Sequence, residues 1–198
     1  MTDRTGTSNK TYIRKMVYSA MFLAIALLLP FLTGQIPEIG NMLLPMHLPV
    51  FLAGLICGAR YGLGVGAILP LSRSLFFGMP VIFPNAVGMA VELAVYGLVA
   101  GLLYTRSRHR CIFSLYRALI VAMLLGRVAW GVTMALILGL SGSAFTFSAF
   151  IASALTNAIP GIAIQLVLIP AIMLLARRTH LVSPSKAAGK GDHRRENK

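Results

Sequence analysis

Arg73, Glu92 and Arg127 are the three charged residues that stand inside apolar stretches of this chain. A charge at the centre of a bilayer costs about 2.5–3.5 kcal/mol on insertion. Such groups face a protein interior or a wet cavity and take partners there. Two guanidiniums and one carboxylate suit recognition of a small polar guest, with anions favoured. Tyr96, Asn157 and Gln165 lie in the same kind of stretch and add hydroxyl and amide groups. Helical spacing gathers these residues into faces. Asn85, Glu92 and Tyr96 stand at i, i+7 and i+11. Arg127, Trp130 and Met134 stand at i, i+3 and i+7. Asn157, Gly161 and Gln165 follow steps of four. Turned toward one another, the three faces would line a cavity.

Each residue also has a plainer reading. Glu92 and Arg127 can pair as a structural bridge. Arg73 can snorkel to headgroups. Asn157 and Gln165 can glue helices together, and Trp130 and Met134 can be packing. His47, beside Pro45 and Pro49, reads as structural or interfacial. The similar depth of several polar residues is what favours a site. One membrane acid and one interfacial His make thin material for an intramembrane enzyme. The two cysteines, Cys57 and Cys111, have no disulfide or metal spacing, and no cofactor is implied. Gly62-Leu-Gly-Val-Gly66 lacks the strand–turn–helix context of a dinucleotide site. There is no Walker A sequence, so any ATP-driven step needs another chain. A stand-alone secondary transporter is the main alternative, although the internal repeats expected of one are not seen.

The elements that must position these groups are membrane helices. The chain is 57% hydrophobic and 12% charged, against about 25% charged in soluble domains. Apolar runs near the bilayer-crossing length recur, giving an all-α bundle of six transmembrane helices. They fall near residues 11–33, 43–59, 62–77, 85–104, 117–140 and 147–176. Residues 1–10 read as a disordered cytoplasmic N-terminus, 11–176 as one six-helix membrane domain that binds substrate and 177–198 as a basic cytoplasmic tail. Sixteen of the eighteen Lys and Arg residues flank the helices on one side. The three opposite connections carry no Lys or Arg, and their only charge is Glu38. The positive-inside rule then puts both termini in the cytoplasm. The net charge of +13 is thereby assigned to topology and lipid headgroups, not to nucleic acid.

The stretch Leu43–Tyr104, with Leu-Leu-Pro-Met-His-Leu-Pro-Val-Phe-Leu-Ala-Gly-Leu-Ile-Cys-Gly, Tyr-Gly-Leu-Gly-Val-Gly and Phe-Gly-Met-Pro, resembles the substrate-binding S components of energy-coupling factor (ECF) vitamin transporters. The likeness covers roughly residues 14–176 and includes Ala20-x-x-x-Ala24. It implies a multi-pass subunit of a bacterial plasma membrane that captures a vitamin outside. Ala20 and Ala24 match the docking motif for a T subunit, which carries two cytoplasmic ATPases. Family members topple to release substrate inside. The connections 34–41 and 78–84 match outer loops that cover the pocket. Glu92, Arg127 and Asn157 lie on the helices where the family places ligand contacts. The pattern looks most like the subgroup that includes pantothenate carriers. A pantothenate carboxylate could pair with Arg127 or Arg73, and its hydroxyl and amide groups with Asn157 or Gln165.

Overall fold

The computed structural model describes residues 4–32, 46–107, 112–140 and 159–178. Within them the chain is all-α. Six helices appear, namely α1 (Arg4–Leu32), α2 (His47–Cys57), α3 (Ala59–Phe77), α4 (Ile82–Arg106), α5 (Ile112–Leu140) and α6 (Ile159–Arg178). Thr11–Pro30, Ile82–Arg106 and Ile112–Gly139 are long and apolar enough to cross a bilayer. His47–Cys57 and Gly161–Ala176 are shorter apolar helices. The outer face of α5 shows why lipid is the fitting solvent. Leu124, Val128, Val132 and Leu136, in steps of four, are each more than half exposed. They form an apolar stripe about 18 Å long at 1.5 Å per residue, of a kind that soluble monomers seldom expose.

Several boundaries differ from the sequence expectation. α1 begins at Arg4 rather than near Thr11, and α5 at Ile112 rather than Arg117. In α5 the apolar pattern extends back through Leu115, which is buried, so the basic loop is shorter than the charges suggested. The turn between α2 and α3 is a single residue, Gly58, at φ 110°. An L side chain rarely adopts that backbone. The Gly58 N–H donates back to Ala53 O and Gly54 O, and its carbonyl accepts from Tyr61 and Gly62. Two helices are thus joined with their backbone groups satisfied.

α4 is the hub, packed by α2, α3 and α5. Small residues let backbones meet there. A Cβ on Gly62 would fall 2.6 Å from Gly97 O, and one on Gly101 would fall 2.6 Å from Ala59 Cα. These contacts, with Gly66 against Leu93, fix α3 and α4 as antiparallel. Gly126 lies against Tyr96, and Gly88 lies against Trp130 and Met134. α5 is therefore antiparallel to α4 as well. α3 ends at Gly78, in the left-handed region, whose N–H donates to Ser74 O at 3.0 Å. α4 then opens with an irregular turn, Ile82–Ala86, kinked at Phe83, whose backbone is extended (φ −120°, ψ 130°). On α1, Ser19, Phe22 and Ala26 are buried while Ala20 and Ala24 are exposed.

Candidate functional site

The polar cluster is built on the α4 hub. Glu92 is buried, at 2% exposure. One turn along, the Tyr96 hydroxyl donates to Glu92 Oε1 at 2.6 Å. Arg127 Nη1, from α5, lies 3.2 Å from the same oxygen. A buried carboxylate is tolerable when it is paired and hydrogen-bonded, and this one has both kinds of partner. The Tyr96 ring is held in turn. Phe51 stacks on it at 5.0 Å, and the His47 ring lies 5.4 Å away. On the α5 side Gly126 supplies the space, since a Cβ there would overlap the ring. One tyrosine thereby ties α2, α4 and α5 to one carboxylate.

Arg73 marks a second level. It stands seven residues beyond Gly66, about 10 Å along the helix, toward the Met79–Pro84 connection. Arg73 Nε donates to Met79 O at 3.2 Å, and Ser74 Oγ donates to Pro80 O. The end of α3 thus holds the connection by two side-chain bonds. On α6, Gln165 is buried at 2% exposure. Arg73 Nη1, Arg127 Nε and Gln165 Nε2 are buried and have no hydrogen-bond partner among the described residues. All three are N–H donors. Buried polar atoms are nearly always partnered in folded proteins. Among the described residues, these three groups can therefore donate to an acceptor oxygen.

The expected faces come together unevenly. Glu92, Tyr96 and Arg127 are in direct contact. Trp130 and Met134 lie on the same face of α5 and close over Gly88, which is packing between α4 and α5. Asn85 is exposed. It stands in the irregular first turn of α4, two residues after Phe83, whose backbone is extended (φ −120°, ψ 130°). Asn157 lies outside the described residues. His47, read as structural or interfacial, is buried against Tyr96. Phe51 and Gly126 had no sequence reading at all. The spacing of His47 and Phe51, at i and i+4 on one helix, was the available signal. Among the described residues no three metal-ligating side chains gather.

Fold and cluster together define an all-α integral membrane protein with an enclosed, donor-rich polar interior. Residues 14–173 match the family described as ECF transporter, substrate-specific component. The chain belongs to that family. No curated protein sequence and no solved structure matches it. A substrate-specific component is a transport subunit that takes a small-molecule substrate and works with T and ATPase subunits.

Proposed function

We propose that this chain captures a vitamin-type micronutrient from outside a bacterial cell, pantothenate being the best single candidate. The substrate enters between α4, α5 and α6 from the Met79–Pro84 end. It leaves toward the cytoplasm when the subunit is docked on its T subunit and two ATPases. Both termini lie in the cytoplasm. The observation that supports this reading is the set of buried donors on Arg73, Arg127 and Gln165. A carboxylate would take the guanidinium donors through charge-assisted bonds. Hydroxyl and carbonyl oxygens of the same molecule would take Gln165.

Mass spectrometry of the small molecule that co-purifies with the protein tests the reading directly, and pantothenate is the expected species. Titration of labelled pantothenate into Arg127→Ala and Arg73→Ala should show affinity losses of about tenfold or more, since hydrogen bonds to charged groups are worth about 1.5–3 kcal/mol. Affinity like the wild type in both variants would sink the pantothenate assignment.

A further inference from the structure

We infer that this site selects ligands carrying one net negative charge, and that Glu92 sets that selection through its hold on Arg127. The inference rests on reading the cluster as the ligand site. Among the described residues, the charges within the apolar interior are Arg73, Arg127 and Glu92, two positive and one negative. The other cations with described side chains lie at the opposite end. The Tyr12–Tyr61 ring contact brings the start of α1, with Arg14 and Lys15, to the start of α3. Ala59 against Gly101 brings Arg60 toward Arg106. The antiparallel register places Arg117 beside the same end of α4.

Counted over the described residues, these groups leave one uncompensated positive charge. Charge imbalance is costly where the dielectric is low. A monoanion brings the ligated site to neutrality. A neutral ligand leaves a guanidinium unbalanced, and a dianion leaves an excess carboxylate. Glu92 shapes this balance without offering itself to the guest. It is enclosed, and its Oε1 is engaged by both Tyr96 and Arg127. Arg127 is the more open partner, at 18% side-chain exposure against 3%, and its Nε is unpartnered among the described residues. Glu92 is thus a specificity-determining residue that acts through the arginine.

The test is a calorimetric binding panel on the purified full-length protein. It comprises three monoanions (pantothenate, nicotinate, biotin), their uncharged counterparts (panthenol, nicotinamide, biotinamide), the dianion quinolinate and the cation thiamine. In the wild type at least one monoanion should bind, at least about tenfold tighter than its uncharged counterpart and tighter than quinolinate. In Glu92→Gln the ratio of quinolinate to monoanion affinity should rise about tenfold or more. If Glu92→Gln does not fold, Arg73→Gln carries the test, and there the preference for the monoanion over its uncharged counterpart should fall about tenfold. Tight binding of thiamine, of an uncharged counterpart, or of no monoanion at all would overturn the inference. Unmoved ratios in the variants would do the same. Failure of pantothenate alone, with nicotinate or biotin obeying the charge rule, would remove the pantothenate reading and leave the inference standing.

Discussion

Gly126 has no side chain, and that is what lets Tyr96 reach Glu92. Its Cβ would lie inside the Tyr96 ring, so Gly126→Ala must displace either the ring or helix α5. Overpacking of this kind costs about 1–3 kcal/mol. A lower thermal midpoint in detergent, with looser ligand binding, is the expected outcome; an unchanged midpoint would show that the ring is free to move. The ion pair behind it makes a second prediction. Removing one partner of a buried pair strands the other, at about 3–5 kcal/mol, whereas removing both is far milder. Glu92→Gln should therefore destabilise the unliganded protein more than the double variant Glu92→Gln/Arg127→Gln does. Thermal melts of the single and double variants measure that difference, and simple additivity would argue against a coupled pair. These residues also mark how far the sequence could be read. Glu92, Arg127 and Tyr96 were legible because a charge in an apolar run must find a partner and because a step of four shares a helix face. Gly126 was not legible, since a glycine in a membrane helix does not announce which neighbour fills its space. Asn85 was placed on the face by a period of 3.6, and it stands in the irregular turn Ile82–Ala86, kinked at Phe83, where that period does not hold.

Among the helices, the close approach of α2, α3 and α4 determines where the polar cluster can form. Gly54, Gly62 and Gly97 meet backbone to backbone, and a Cβ on Gly54 would lie 3.2 Å from Gly97 Cα even at its third-nearest contact. Gly97→Ala adds a methyl group that meets the rigid Gly62 backbone, which cannot move aside as a flexible side chain could. Helix separation should follow, with a loss of about 1–3 kcal/mol read as a lower unfolding midpoint. Gly64→Ala is the control, because no atom lies within 4 Å of a Cβ there; equal losses in the two variants would sink the argument. The existence of these helices was plain from apolar runs broken by Gly and Pro. Their ends were not. The basic residues around the loop between α4 and α5 suggested a linker as far as Tyr116, yet Leu115 is buried and α5 starts at Ile112. Burial decided that boundary, and burial depends on neighbours that local charge does not reveal.

For the whole molecule, the two ends differ in kind. The end with Tyr12, Tyr61, Arg60 and Arg106 is cationic, and the end with Met79–Pro84 carries exposed Met79, Val81, Ile82 and Phe83. The positive-inside rule assigns a cationic end to the cytoplasm, and we propose that orientation for this chain. Between the ends, α1 shows Ala20 and Ala24 outward while Phe22 and Ala26 pack inward. Small residues one turn apart on an exposed membrane face let another helix approach closely, and we propose that the T subunit docks there. Ala20→Leu/Ala24→Leu tests the proposal because it separates docking from folding. Both positions face away from the bundle, so stability of the isolated subunit should stay within about 0.5 kcal/mol, and ligand binding should be unchanged. Association with the T and ATPase subunits in nanodiscs should fall by about tenfold or more, the effect of losing roughly 1.4 kcal/mol of interhelical contact. Substrate uptake should fall with it. Intact association in that variant would move the docking surface elsewhere on the bundle. Loss of ligand binding in the isolated subunit would instead tie this face of α1 to the integrity of the polar interior.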